Sequence, residues 1–169
     1  EISVVDNLAK IKSDKSIFSV NCIPAIDYPN ISFNDIINGQ EFAIDALELK
    51  NLFDQTLFAT SDKESRPILT GLNFKCEGNS LEVVATDTYR LTKKKVNLQE
   101  FLDFNVTIPR NALDDVNKIV ELGQTVRIAI SDKKVSFDLG DCNINTRVIS
   151  GTYPDTSRLI PNEFSQVLK

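Results

Sequence analysis

A short motif occurs twice in this chain, and its two tyrosines, Tyr28 and Tyr153, are 125 positions apart. The first copy, residues 23–30, reads IPAIDYPN, and the second copy, residues 148–155, reads VISGTYPD. Each copy follows a predicted strand and precedes a linker and then a Glu-Phe pair. A period of this length is the size of a domain. The repeat therefore predicts the end of one module, one complete module and the start of a third. A chance match between two Tyr-Pro turns is the alternative.

Two amphipathic helices are predicted inside the complete module. Asp45 is a favourable N-cap for the first helix, which we expect to end near Thr60. The second helix is predicted over residues 110–122, with Gly123 just past its end. Apolar residues recur at helical spacing on one face of each helix. They are Leu49, Phe53 and Leu57 in the first helix and Leu113, Val116 and Val120 in the second.

Strands outnumber helices in the predicted order of elements. They are expected at residues 17–23, 40–44, 67–76, 80–86, 104–108, 124–130, 133–139 and 142–149. Glu77-Gly78-Asn79 is predicted as a hairpin turn, and Asp132 and Gly140-Asp141 are predicted as the turns between the last three strands. Strands that pair mainly as antiparallel hairpins beside two helices indicate the α+β class.

The composition excludes several kinds of site. The chain has no histidine, which excludes Ser-His-Asp and Cys-His nucleophile systems and zinc sites that use histidine. Cys22, Cys76 and Cys142 form no CxxC pair, and we expect reduced thiols that act as small hydrophobic residues at strand positions. We predict no catalytic residue, no metal site and no cofactor.

The charge and the apolar pattern limit the partners. A net charge of −5 gives no general attraction to nucleic acid, so any such contact needs a local basic patch. No apolar run approaches the ~18–20 residues that span a bilayer, and we expect no membrane partner. The absence of Met at position 1 predicts a chain that begins inside a longer protein.

Two stretches of the sequence resemble a known family. The first is RPILTG at residues 66–71, followed by VATDTYRL at residues 84–91. The second is VISGTYPD at residues 148–155, followed by RLIP at residues 158–161. Together with IPR at residues 108–110, they resemble the middle domain of the bacterial DNA sliding clamp, the beta subunit of DNA polymerase III. The resemblance covers essentially the whole chain, in order.

The resemblance implies a DNA-clamp fold, with antiparallel sheets and two amphipathic helices per domain. Residues 1–33 would be the tail of the first clamp domain and a linker, residues 34–160 the middle domain, and residues 161–169 the start of the third. The parent would be a cytoplasmic, non-catalytic DNA replication processivity factor. As a ring-shaped homodimer it would encircle duplex DNA and tether DNA polymerase III subunits, the clamp loader and other partners that carry clamp-binding peptides. We expect this chain alone to be a monomer.

The resemblance also implies a partner-peptide pocket, in which apolar side chains would receive hydrophobic residues and arginines would bind carbonyls or carboxylates. Its middle-domain part would comprise Arg66, Leu69, Thr86, Thr88, Tyr89, Arg90, Leu91, Pro154, Arg158 and Leu159. The chain departs from the family at Thr88-Tyr89, where Gly-His is common, and at Thr156, where an aromatic residue is frequent. Loss of Gly removes easy access to positive φ, and these departures are expected to alter peptide preference.

The same resemblance implies residues that face DNA, and the candidates are Lys50, Lys63, Arg66, Arg110 and Lys118. The two helices also carry Glu48, Asp54, Asp114 and Asp115, so the predicted face is mixed rather than a basic stripe. Asn111 stands where the family often has Lys, which weakens the case for a DNA contact there. A ring retains DNA by topology, so tight phosphate contacts are not required. The run Lys93-Lys94-Lys95 is interpreted as a solvated strand edge or loop.

Two other functions remain open. One is a non-catalytic α+β interaction module that touches no nucleic acid. The other is a hydrolase that uses the carboxylates of Asp87 and Asp155. A turn in which Asp87 accepts hydrogen bonds from backbone amides is the simpler interpretation of that residue.

Overall fold

A computed structural model of the chain describes residues 1–28, 39–157 and 159–160. The chain divides into two compact units, Glu1–Phe33 and Asn34–Lys169. Three predicted features lie outside the described residues: most of the linker that follows the first copy of the repeated motif, Arg158, and the segment 161–169. None of the helices in the described ranges is long and apolar enough to cross a membrane.

The first unit is an antiparallel meander of three strands: β1 (Ile2–Val5), β2 (Leu8–Ser13) and β3 (Ser16–Asn21). The sequence predicted only the last of these strands. Asp6-Asn7 and Asp14 make the two turns with positive φ, a conformation that Asn and Asp tolerate better than other side-chain-bearing residues. The first two strands were not predicted, because charged residues interrupt the apolar residues at the start of the chain.

One face of this meander is apolar. The strand register aligns Ile2 with Ile11 and Ile11 with Phe18, so the three side chains form one row across the sheet. Val4 and Val20 lie two residues further along the same face. All five side chains are exposed. An exposed apolar patch of this kind is typical of a surface that takes part in an interaction.

The described part of the second unit contains two antiparallel sheets and two α-helices, as the α+β prediction required. The order of strands in the first sheet is β4-β7-β8-β9, and the second sheet is the pair β5-β6. The elements are β4 (Gln40–Asp45), α1 (Ala46–Thr56), β5 (Gly71–Thr86), β6 (Leu91–Pro109), α2 (Arg110–Ile119), β7 (Thr125–Ile130), β8 (Lys134–Asp138) and β9 (Asn143–Arg147).

The predicted helices form, with small differences at their ends. Asp45 caps α1, because its Oδ1 accepts hydrogen bonds from the N–H groups of Leu47 at 2.8 Å and Glu48 at 3.3 Å. The chain continues past α1 as a 3-10 turn at Leu57–Ala59. Helix α2 ends at Ile119, three residues before the predicted end, since Val120 adopts an extended conformation. The six residues predicted for the apolar faces are all buried.

The hairpin predicted at residues 77–79 is wrong. Strand β5 continues through this segment, and its pairing with β6 shifts between Gly78 and Ser80 at a β-bulge. Gly78 has a φ of +67°, which suits a bulge as well as it suits a turn. The chain reverses instead at residues 87–90, between β5 and β6.

Two neighbouring strand predictions also need correction. Residues Pro67–Thr70 form a 3-10 helix, because Pro67 opens a helical turn more readily than it joins a strand. The strand predicted at 104–108 is only the end of β6, which begins at Leu91 and includes Lys93-Lys94-Lys95. Lys93 and Lys95 both pair with Glu82 on β5, at 2.7 and 3.4 Å.

The core of the second unit lies among the two helices and both sheets. Phe53 of α1, Phe74 of β5 and Phe137 of β8 are among its largest fully buried side chains. Cys76 is a buried strand residue as predicted, whereas Cys22 and Cys142 are partly buried and flank strands. The three cysteines are free.

Replacing Asp45 with Ala should destabilise the chain by about 1 kcal/mol, because two N–H groups at the start of α1 lose their acceptor. Asp45→Asn retains an acceptor oxygen and serves as the matched control. Urea unfolding measures both variants. Equal stability of the Ala and Asn variants would show that the cap contributes nothing.

Candidate functional site

The turn at residues 87–90 is organised by the carboxylate of Asp87. Its Oδ1 accepts hydrogen bonds from the N–H groups of Tyr89 at 2.9 Å and Arg90 at 3.0 Å. Its Oδ2 accepts one from Nε of Arg90 at 2.9 Å. The backbone hydrogen bonds from Arg90 and Tyr89 are the main reason that the pKa of Asp87 is lowered. The prediction that Asp87 caps a turn is confirmed.

Thr86 connects this turn to the second copy of the repeated motif. Its hydroxyl donates to the carbonyl of Arg90 at 2.7 Å and accepts from the N–H of Thr88 at 3.1 Å. Its own N–H donates to Oη of Tyr153 at 3.0 Å. Burial raises the pKa of Tyr153 to about 12, so the phenol is neutral over the physiological range. The two stretches that carried the family resemblance therefore meet at one point in the fold.

Thr88 has a φ of +81°. A β-branched residue rarely adopts this conformation, which costs about 1–3 kcal/mol and persists only where neighbouring contacts enforce it. The hydrogen bonds of Thr86 and Asp87 on either side supply that enforcement. Glycine, which is common at this position in the family, adopts a positive φ without strain.

Arg90 lies over an aromatic ring that the sequence analysis missed. Its guanidinium carbon is 5.7 Å from the ring centre of Phe58, within the range of a cation–π contact. Phe58 belongs to the 3-10 turn after α1 and is half exposed. It follows Leu57, the last residue of the predicted apolar face, so helical periodicity alone assigned it no role. The signal in the sequence was an aromatic residue placed just outside the predicted apolar face.

The remaining pocket candidates differ in exposure. Leu69 is only 2% exposed, so its side chain is buried, and its carbonyl accepts a hydrogen bond from the N–H of Ser61 at 2.8 Å. Leu91 is partly buried at the start of β6. Tyr89 is 89% exposed. Arg66, Pro154 and Leu159 are exposed as well.

The segment after β9 lies close to the 3-10 helix that contains Leu69. A Cβ added to Gly151 would lie 3.7 Å from Cδ1 of Ile68, so the backbone at Gly151 comes near this helix. Thr156 is buried where the family often has an aromatic residue, and its carbonyl accepts a hydrogen bond from the N–H of Leu159 at 3.1 Å. The structure thus brings Thr86, Thr88 and Arg90 together with Tyr153, and separately brings the neighbourhood of Leu69 next to residues 148–157.

Three of the five candidate DNA-facing residues are engaged within the protein. Nζ of Lys50 donates to the carbonyls of Asn117 at 2.6 Å and Val120 at 3.3 Å, at the C-terminal end of α2. Lys118 pairs with Asp115 at 3.0 Å.

Arg110 has two acidic partners, Asp62 at 3.0 Å and Asp114 at 3.4 Å. Lys63 and Arg66 are exposed in the loop after α1. The helical face is therefore locally neutralised, in line with the mixed face that its sequence indicates.

The carboxylates proposed for a hydrolase serve local turns. Both oxygens of Asp87 are occupied by the turn and Arg90. Oδ1 of Asp155 accepts a hydrogen bond from the N–H of Ser157 at 2.9 Å. Among the described residues, no group of three or more His, Cys, Asp or Glu side chains is placed to hold a metal ion.

Two clefts lie around Asp132, the turn residue between β7 and β8. One has a volume of about 520 Å³ and runs between this turn and Gln40, whose side-chain amide makes paired hydrogen bonds of 2.7 and 2.8 Å with the backbone of Asp103. The other has a volume of about 370 Å³ and reaches residues 148–153. Neither cleft is lined by the turn at 87–90.

The sequence and the fold both match known proteins. The family model described as the DNA polymerase III beta subunit, central domain, matches residues 43–155. The beta sliding clamp of Bacillus subtilis (strain 168) is 38% identical over 159 residues, which are 92% of this chain and 42% of that protein. The beta sliding clamp of Halalkalibacterium halodurans is 34% identical over 169 residues, which are 96% of this chain and 44% of that protein.

Solved structures give the same result. A crystal structure of the DNA polymerase sliding clamp from Bacillus subtilis superposes with a TM-score of 0.86 at 37% identity, covering 96% of this chain and 43% of that one. A sliding clamp from Pseudomonas aeruginosa bound to griselimycin superposes with a TM-score of 0.85 at 25% identity, covering 97% of this chain and 45% of that one. The chain spans about two fifths of the length of the relatives that it matches.

Replacing Tyr153 with Phe should cost about 1–3 kcal/mol of stability, because the N–H of Thr86 loses its acceptor at a buried position. Tyr28→Phe, at an exposed tyrosine, is the matched control and should leave stability unchanged. Urea unfolding at neutral pH compares the two variants. Equal urea midpoints for Tyr153→Phe and Tyr28→Phe would show that the Tyr153 phenol does not stabilise the fold.

The raised pKa of Tyr153 also predicts a pH dependence. The folded state holds this proton more tightly than the unfolded state, in which the pKa is near its ordinary 10.0. The contribution of Tyr153 to stability is therefore complete below pH 10 and is lost as the pH rises through about 12. An absorbance titration should show a tyrosine ionising near pH 12 that disappears in Tyr153→Phe. A Tyr153→Phe variant with the same titration curve would contradict the assignment.

Proposed function

This chain belongs to the DNA polymerase III beta subunit family, and on that premise we propose that it supplies the central part of a DNA replication processivity clamp. The observation that carries the proposal is the match of residues 43–155 to the central domain of that family. The fold supports it, since the superposition on a sliding clamp covers nearly the whole chain. In this role the parent protein encircles duplex DNA and tethers the polymerase and other partners.

The proposed domain organisation has three parts: residues 1–33 as the tail of a first domain and its linker, residues 34–160 as the middle domain, and residues 161–169 as the start of a third. The division into two compact units at residue 33 supports the first boundary. The exposed apolar face of the β1–β3 meander supports it as well, because such a face suits a sheet whose covering layer belongs to the rest of a domain.

We place the partner-peptide pocket around the turn at residues 87–90. Arg90 and Tyr89 are exposed there, and Phe58 offers an aromatic surface beside Arg90. Leu91 directly follows the turn and is partly buried, and Leu69 is buried. This combination of apolar surface and arginine suits a short peptide with hydrophobic and acidic residues. Arg66, Thr86, Thr88, Pro154, Arg158 and Leu159 complete the proposed set.

Contact with DNA is proposed to be weak. Arg110 and Lys118 are paired with acidic residues and Lys50 is bonded to backbone carbonyls, which leaves Lys63 and Arg66 as the more accessible cations among the candidates. Each Lys or Arg that binds a DNA phosphate releases a counterion from the DNA. Because few cations are free here, few counterions are released, and the affinity of the protein for DNA depends little on the salt concentration. Enclosure of the duplex then has to supply the retention. The proposed protein is a cytoplasmic, non-catalytic homodimer without a cofactor, and the isolated chain is a monomer.

The alternatives are less well supported. The hydrolase hypothesis requires a carboxylate free to act on a substrate, and Asp87 is fully engaged in its turn. An interaction module without a DNA role would have the same fold and the same proposed pocket as a clamp. Only a clamp would stay on a closed DNA circle, so retention of the protein on circular DNA distinguishes the two hypotheses.

The test is to place the longer protein that contains this chain on nicked circular DNA with its clamp loader, and then to cut the circle. We expect the protein to stay on the circle during gel filtration at 0.5 M salt and to leave once the DNA is linear. Blocking both ends of the linear DNA is the control and should restore retention. Equal loss from circular and linear DNA would overturn encirclement and favour the interaction module.

A further inference from the structure

We propose that Asp87 is a positioning residue that holds the guanidinium of Arg90 ready to bind a carboxylate or carbonyl group of a partner peptide. The inference rests on the proposed function, because it assigns a role inside the proposed pocket. It goes beyond that function by naming a residue outside the ten pocket candidates and by stating which atom of it acts on which atom of Arg90.

The two carboxylate oxygens of Asp87 accept hydrogen bonds from different parts of the turn. Oδ1 accepts from the backbone N–H groups of Tyr89 and Arg90 and so holds the turn. Oδ2 accepts from Nε of Arg90 at 2.9 Å and so holds the side chain. A residue that only shaped the turn would need the first oxygen alone. The second bond fixes the plane of the guanidinium relative to the turn.

Arg90 is held from a second direction by Phe58. The ring lies beneath the guanidinium at 5.7 Å, while Asp87 binds its Nε edge. Arginine side chains have many rotamers, and holding one of them in advance lowers the entropy lost when a ligand binds. The side chain of Arg90 is still 55% exposed, so this restraint does not close it off from a ligand.

The outer edge of Arg90 faces no acceptor among the described residues. None of them accepts a hydrogen bond from either of its two Nη atoms, and its bond to Asp87 uses Nε. Other arginines differ: an Nη atom of Arg110 binds Asp62, and one of Arg127 binds Asp138. Two parallel N–H groups at the end of a guanidinium match the two oxygens of a carboxylate, or a pair of backbone carbonyls. The geometry therefore suits either a carboxylate or backbone carbonyls of the peptide, and a carboxylate gives the stronger, charge-assisted pair.

The same carboxylate also places an apolar contact beside this polar one. The N–H of Tyr89 is bonded to Asp87, and the Tyr89 side chain is 89% exposed next to Arg90. An exposed aromatic ring next to a prepared arginine favours a ligand in which a hydrophobic residue adjoins an acidic one. The proposed ligand class is therefore a short hydrophobic-acidic peptide.

The decisive variant is Asp87→Asn. The amide keeps a carbonyl oxygen that accepts from Tyr89 and Arg90 and holds the turn, but its NH₂ group cannot accept from Nε of Arg90. We expect this variant to fold and to bind a synthetic hydrophobic-acidic peptide about tenfold more weakly than the unsubstituted chain, the scale of one charge-assisted hydrogen bond. ¹H–¹⁵N NMR titration of the 169-residue chain measures binding even when it is weak.

A double variant distinguishes a positioning role of Asp87 from a structural disturbance of the turn. If Asp87 acts through Arg90, then Asp87→Asn should have no further effect on binding in an Arg90→Ala background. The Nε–H signal of Arg90 gives a second readout, which should exchange with water slowly in the unsubstituted chain and quickly in Asp87→Asn. A merely structural loss would weaken binding in both backgrounds.

Asp138→Asn is the matched control. Asp138 likewise accepts from a backbone N–H, that of Gly140 at 3.0 Å, and from Arg127 at 2.6 Å, but it lies on β8. Its substitution should leave peptide binding unchanged. If Asp87→Asn does not fold, Asp87→Ser retains an acceptor for the turn through its hydroxyl and carries the same test.

The outcomes are distinct. Equal peptide affinity of Asp87→Asn and the unsubstituted chain would overturn the positioning role and leave the pocket intact. The positioning role would also be overturned if Asp87→Asn weakened peptide binding as much in the Arg90→Ala background as in the unsubstituted chain. No binding by the unsubstituted chain would overturn the peptide pocket itself, and this inference with it.

Discussion

The pairing of β5 with β6 is the constraint on which the second unit depends. It begins where Gly71 lies opposite Pro109 and ends where Thr86 lies opposite Leu91. At Gly71 the approach is so close that a Cβ would lie 2.3 Å from the carbonyl oxygen of Ile108, so only glycine fits there. One end of this ribbon leads directly into α2, and the other end forms the turn at residues 87–90. The ribbon therefore fixes where the candidate site lies.

The candidate site combines a strained turn with the bonds that hold it. Thr88 occupies a backbone conformation that suits glycine, and the side chains of Thr86 and Asp87 compensate by bonding the backbone on both sides of it. Rigid turns on a packed scaffold are good platforms for recognition, since they present side chains with little loss of entropy. Arg90 and Tyr89 are presented in this way. The strained residue and the side chains that we propose for peptide recognition therefore lie in the same turn.

Local patterns in the sequence predicted the helices but not the longest strands. Helical spacing identified the buried faces of both helices, and Asp45 marked the start of the first. Gly78 misled the strand prediction because a bulge and a turn demand the same residue. The contacts of Arg90 with Phe58 and of Thr86 with Tyr153 join residues far apart in sequence, which no local pattern contains. The family resemblance supplied Arg90 and Thr86, while Phe58 needed the fold.

We propose that a partner peptide binds at the corner formed by the turn at residues 87–90 and Phe58. Hydrogen–deuterium exchange of the 169-residue chain, with and without a saturating hydrophobic-acidic peptide, locates the binding surface. We expect added protection at the amides of residues 86–91 and 57–61, and no change at the turn around Asp132, beside the 520 Å³ cleft. Protection around Asp132 with none at residues 86–91 would show that the peptide binds elsewhere.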